Sequence, residues 1–324
     1  MRRLLLPCAM SLLLYAITFG LLLDRPLSLG VPQAQIEAKL LRGAAIEGRK
    51  LVIIAGSSGP YSHRCETIEA LLTLPCVNAG IAVGFSLDYL FARWQPLLHP
   101  GDVVYLPLEE AQYTRGRLAN QLGPDAAIMA RHDRATLAAM PPARWIAAVF
   151  VFDLRAAVMS VIETALVAAG FHDPREEATG ATNAWGDHID HTAARGTANR
   201  GILAALTPHH ATPAGIAGGD GQRIVSGFID WARAHEVTVL GGPPIGFQDS
   251  PVPAETLAAI RAVYDRPGAG FLSLPNDGRY ARSAFFDTPE HLHEAGQIAH
   301  SRLVATQLYC GARIGAAPIM SQRC

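Results

Sequence analysis

Lys50-Leu-Val-Ile-Ile-Ala-Gly-Ser-Ser-Gly-Pro60 is the stretch on which the fold turns. Leu51 to Ala55 form an unbroken apolar run, closed by Gly56-Ser57-Ser58-Gly59. Such a run, bounded by turn residues, predicts a strand buried on both faces and therefore a parallel sheet. A serine on the turn at the carboxyl end of that strand lies where open α/β sheets collect their ligands. To act as a nucleophile it needs a base to take its proton and donors to hold the oxyanion it creates.

Working outward, residues 62–73 can form a helix and Cys76-Val-Asn-Ala79 a second short strand, ending in a turn with Gly80 and Gly84. Residues 86–98 read as helix, Pro100-Gly-Asp102 interrupts, and Val103-Val-Tyr-Leu106 is a third strand. Further on, apolar residues recur at helical spacing in 222–235. Val237–Leu240 is a strand closed by Gly241-Gly-Pro-Pro244, 254–264 is helical, and Phe271–Leu274 is a strand. A last helix is expected from around Pro289 to Leu308. Strands alternating with helices predict a three-layer α/β/α sandwich around a parallel sheet of about five strands. Residues 143–170 form a long apolar helical stretch, but Asp153, Arg155 and Glu163 argue against a membrane span there. Residues 171–218, rich in Gly, Thr, His and Asn, look irregular.

The N-terminus is read separately. Arg2 and Arg3 precede Leu4–Leu23, an uncharged stretch long enough for a bilayer. The expected organisation is a transmembrane signal-anchor at 1–23, a juxtamembrane linker at 24–48, one catalytic domain at 49–310 with an irregular insertion near 115–218, and a tail at 311–324. That predicts a single-pass protein of the bacterial inner membrane with its domain in the periplasm. A cleaved signal peptide, releasing the domain to the periplasm, is the alternative. Of Cys8, Cys65, Cys76, Cys310 and Cys324, Cys65 and Cys76 are the best candidate disulfide pair, because a helix-and-turn length separates them. Half of the residues are hydrophobic, 17% are charged and the net charge is −1, so nothing points to nucleic acid as a partner.

The far end supplies a base. Phe285-Phe-Asp-Thr-Pro-Glu-His291 contains a histidine with an acid just before it, the arrangement of a base and its orienter. Asp287 also reads as a plain helix cap. His188 and His191, three residues apart, could hold a metal or face the cleft, and His209-His210 reads as an exposed pair.

Gly-x-Ser after the first strand, Asn-x-Gly after the second, and Asp then His near the last helix resemble the SGNH (GDSL-type) hydrolase superfamily. The likeness is narrower to its anchored bacterial branch acting on cell-surface polysaccharides. It covers roughly residues 48–115 and 236–308, with Asn183-Ala-Trp-Gly-Asp187 a looser match. By position, the resemblance implies Ser58 as nucleophile and first oxyanion donor through its own N–H, and the Gly84 N–H, in the block opened by Asn78, as second donor. It makes His291 the base and Asp287 its orienter, four residues ahead where the family pattern has three. The third block departs from the family. An Asn donor is expected after strand three, and this chain has Pro107-Leu-Glu-Glu-Ala-Gln-Tyr113. A carboxylate repels an oxyanion, so Glu109 or Glu110 is expected to face substrate, or Gln112 to donate. No metal or cofactor is implied. The expected function is an O-acyl esterase or acyltransferase working through an acyl-Ser58 intermediate, on acyl (preferably acetyl) groups of an exopolysaccharide such as a cellulose-type polymer. Polysaccharide synthesis or export machinery is an expected partner. The alternative is a non-catalytic accessory protein that keeps the fold.

Overall fold

The computed structural model describes residues 2–22, 27–150, 154–171, 181–311 and 313–314. The chain divides into two compact units, residues 1–34 with 121–180, and residues 35–120 with 181–324. The smaller unit is helical. Its stretch 143–170, expected as one helix, contains Pro142–Phe150 and Leu154–Ala168, and Asp153 lies outside the described residues. Arg144 and Asp125 form a buried ion pair there.

The N-terminal helix runs Arg2–Leu22, but among the described residues no helix is long and apolar enough to cross a membrane. The expected signal-anchor is thereby corrected, and with it the single-pass inner-membrane location and the inner membrane as a partner.

The larger unit is a three-layer α/β/α sandwich. Its parallel sheet contains β1 (Leu51–Ile53), β2 (Cys76–Asn78), β3 (Val103–Leu106), β4 (Thr238–Gly241) and β6 (Ala269–Phe271), in the order β2-β1-β3-β4-β6. Strand pleating sends alternate side chains to opposite faces. Leu51, Ile53, Val103 and Tyr105 pack with Ile68 and Leu72 of the helix Cys65–Leu72 and with Val304 and Leu308 of the helix Glu294–Cys310. Val52, Val104 and Val239 take the other phase and are also fully buried. On that side Phe91 of the helix Leu87–Trp94 stacks on Phe228 of the helix Asp220–Ala234, ring centroids 4.0 Å apart. A second sheet, β5 (Gly246–Phe247) with β7 (Arg279–Tyr280), was not expected.

The amino ends of β1 and β3 are held by charge. Lys50 Nζ lies 2.9 Å from Asp102 Oδ2 with both side chains fully buried, and Asp102 Oδ1 accepts from the Lys50 N–H at 2.9 Å. Cys65 and Cys76 form a disulfide, as expected, joining the helix after Ser58 to β2. Their sequence separation of 11 closes a short loop, for which chain entropy gives about 3 kcal/mol of stabilisation. The double variant Cys65→Ser, Cys76→Ser should therefore unfold at clearly lower urea concentration. An unchanged midpoint would show that the cross-link contributes nothing to stability.

Candidate active site

The sheet order reverses at β1. The chain passes from β1 to β2 on one side, then to β3 on the other. Carboxyl ends that diverge in this way open a crevice, the usual ligand site of α/β sheets. Ser58 leaves β1 and begins the short helix Ser58–Ser62, and Glu109 follows β3. The two meet in the crevice, where the Ser58 N–H donates to Glu109 Oε1 at 3.2 Å.

Asp287 and His291 are also brought together. His291 Nδ1 lies 2.7 Å from Asp287 Oδ1. If that nitrogen carries the proton, Nε2 is left free as a base. The pair lies in a loop, because the last helix begins at Glu294 and not near Pro289. Two contacts outcompete the local start signals. Phe285 and Leu292 form an antiparallel bridge, with the Phe286 N–H donating to His291 O at 2.8 Å, and the His293 imidazole caps the helix by accepting from the Gly296 N–H at 3.1 Å. Six residues, 286–291, bulge between the bridge partners at one rim, which lets an acid four positions ahead reach the histidine. Ser62 fastens this loop to the nucleophile's helix, donating to Glu290 O at 2.6 Å and accepting from the Leu292 N–H at 3.1 Å.

Tyr61, which the sequence reading missed, stacks on His291 with centroids 4.1 Å apart and planes at 12°. Its other neighbour is His188, also at 4.1 Å, and His191 meets its ring edge at 5.2 Å. Tyr61 lies three residues after Ser58 on one helical face, a spacing that could have signalled it. Burial lowers His188 and His191 to about 4, so both imidazoles are neutral at pH 7. Among the described residues no three His, Cys, Asp or Glu side chains are arranged to hold a metal. The two histidines pack around Tyr61 instead.

Ser58 is 1% exposed, and its Oγ has no hydrogen-bond partner among the described residues. No hydrogen bond joins it to His291. Beneath it runs a buried chain: His63 Nδ1 is 3.2 Å from Ser58 O, His63 Nε2 is 3.1 Å from His300 Nε2, and His300 Nδ1 is 2.7 Å from the Tyr280 hydroxyl. Burial lowers His63 to about 4 and pushes His300 well down, so both are neutral. One pattern of protons satisfies every link: His63 donates to Ser58 O, His300 to His63, and Tyr280 to His300. No sequence signal marks this chain, whose members come from distant segments.

The other candidates separate into clear roles. Asn78 is fully buried and donates to Gly59 O, His63 O and Asp187 Oδ1 at 2.9–3.0 Å, so it ties loops together. Asp187 further accepts from the Cys65 and Glu66 N–H groups, at 2.8 and 3.1 Å, and from Asn183 at 3.1 Å. Lys39 donates to Gly80 O. Burial lowers its ammonium to about 7, against the opposing pull of Asp187. Gln112 Oε1 accepts from the Gly56 and Glu109 N–H groups at 3.1 Å, leaving its Nε2 buried without a partner. Glu110 clips a loop, bonding His210 Nδ1 at 2.9 Å and the Ala211 N–H at 2.7 Å. Gly84 O and Val83 O both accept from Arg115 at 2.8 Å. The amide bordering Gly56 and Glu109 is that of Val83, one residue ahead of Gly84.

Beyond Glu109 opens a cavity of about 400 Å³, bounded by Glu110, His210, Ile245, Arg279 and Glu290 among others. Burial raises the Glu109 carboxyl, outweighing its bond from the Ser58 N–H and the pull of His291. Glu290 is raised to about 7 by burial and by the Glu109 charge.

A parallel sheet flanked by helices places the chain in the class of α/β proteins with hydrolase-type architecture. No family model, curated protein or solved structure matches it.

Proposed function

We propose that the chain is an SGNH-type serine esterase or acyltransferase. In this reading Ser58 attacks the carbonyl of an acyl ester, preferably acetyl, carried by a polysaccharide such as a cellulose-type polymer. His291 takes the serine proton and returns it to the departing alcohol, and Asp287 holds the imidazole. Water or a sugar hydroxyl then accepts the acyl group. The observation that carries the reading is the Asp287–His291 hydrogen bond at 2.7 Å, on a loop that Ser62 ties to the helix Ser58 begins. The neutral pocket of Tyr61, His188 and His191 around that imidazole supports it, since a dry surround strengthens the acid–base pair. The missing Ser58–His291 bond is compatible, because catalytic hydrogen bonds in empty sites are often long and tighten around substrate.

The accessory-protein reading is favoured by one observation, the Glu109 carboxylate on the Ser58 N–H. A fluorophosphonate probe separates the two. Wild-type protein should be labelled, and Ser58→Ala should not. Absence of labelling in the wild type, with polysaccharide binding retained, would establish the accessory role.

A further inference from the structure

Glu109 stands where the oxyanion of a reacting ester would lie. Its Oε1 takes the Ser58 N–H, and it packs against Gly56, where a methyl group would come within 3.1 Å of the Val83 nitrogen and closer still to Glu109 Oε1. The side chain is 8% exposed and forms the wall between the sealed Ser58 hydroxyl and the 400 Å³ cavity. As a carboxylate in that place it would repel a second negative charge. As a neutral acid it has one O–H to donate, as a carboxamide has its N–H.

We propose that Glu109 is the third oxyanion donor of this site and works as a neutral carboxylic acid: protonated, it donates to the oxyanion, and ionised, it fills the oxyanion cradle itself and closes the site. This rests on Ser58 being the nucleophile. In the reaction the ester oxygen takes over the Ser58 N–H, and the Glu109 carboxyl turns aside to donate to it. The proton stays on Glu109 throughout, so the exchange between Ser58 and His291 balances without it.

Burial favours a neutral Glu109 against the groups that face it: the Ser58 N–H and His291 lower its carboxyl, and its side chain also accepts from the Gln112 N–H as the cap of the helix Glu110–Thr114. Glu290 comes from the loop 285–292, and the Glu109 charge raises its carboxyl. His291, on the same loop, lowers that of Glu109. From β3's own loop, Gln112 presents its carbonyl oxygen to the Glu109 N–H, while Glu110 is turned to His210. Arg279 on β7 lines the same cavity, with its Nη2 donating to Pro244 O at 2.9 Å and its charge felt by Glu110 and Glu290. Burial keeps the acid neutral above its ordinary 4.5. The donor is therefore present at low pH and lost as pH rises through the Glu109 titration.

The test is the pH dependence of p-nitrophenyl acetate hydrolysis, with Ser58→Ala as background. Wild type should show a bell. Glu109→Gln, whose carboxamide donates at every pH, should lose the descending limb. Glu109→Ala should be slower than wild type at its optimum by about 10²–10³-fold, the loss typical of one oxyanion donor. A shared descending limb in wild type and Glu109→Gln, or a Glu109→Ala as fast as wild type at the optimum, overturns the proposal while leaving Ser58 as nucleophile. Rates equal to the Ser58→Ala background in wild type and Glu109→Gln alike overturn the nucleophile reading, and this proposal with it.

Discussion

If Ser58 is the nucleophile as proposed, replacing His291 with Ala is expected to slow turnover of p-nitrophenyl acetate by about 10⁴- to 10⁶-fold, the effect of removing the base from a serine hydrolase. A neutral serine hydroxyl at pH 7 is a poor nucleophile and needs a base to take its proton. The loss should fall on kcat, because the imidazole acts on the serine proton and not on substrate affinity. Asp287→Asn should cost less. It disturbs the tautomer that the 2.7 Å bond selects, yet Asp287 is one-third exposed and water can partly replace it. The Tyr61 ring would still hold the imidazole from its face. Turnover by His291→Ala within tenfold of wild type would remove the histidine from the mechanism.

The second large effect is on stability. Asp187→Ala should destabilise the protein by about 3–5 kcal/mol, read from urea unfolding, since it strips a buried charge from partners that stay buried. Its carboxylate is fully buried and accepts from Cys65 N, Glu66 N, Asn78 and Asn183. Two of these donors are unpaired amides at the start of the helix Cys65–Leu72, where an acceptor is needed and negative charge is favoured. Lys39 would lose its nearest opposing charge as well. Asp187→Asn should fall between, because it keeps the shape but turns an amide toward donors. A loss under about 1 kcal/mol for Asp187→Ala would show that water fills the site at little cost.

The parts of this molecule legible in the sequence are those whose signals are local. Leu51–Ala55, Cys76–Ala79 and Val103–Leu106 are apolar runs between turn residues, and each contains an observed strand. The Cys65–Cys76 pair was readable from spacing. β5 and β7 have two residues each, too few to show any period. The last helix was placed too early because Asp287 and Pro289 look like its start. The Phe285–Leu292 bridge, a tertiary contact, overrides them. The N-terminal reading took the uncharged length of residues 4–23 behind Arg2 and Arg3 as the mark of a span, and among the described residues no helix is long and apolar enough to cross a membrane. In the site, Ser58, Asp287 and His291 were named, and the structure joins the last two directly. Asn78 was recognised by position but its side chain binds other loops, which no motif could reveal. His63, His300 and Tyr280 carry no pattern at all, since their chain exists only once distant segments meet.

The Lys50–Asp102 pair lies at the amino ends of β1 and β3, the rim opposite Ser58 and Glu109. The sheet therefore has a sealed keel at one end and a reactive deck at the other. Changes in the loops after β1 and β3 can reshape what the site accepts without loosening the clamp that aligns those two strands. A chain built in this way can diversify its chemistry at the deck while its keel stays the same.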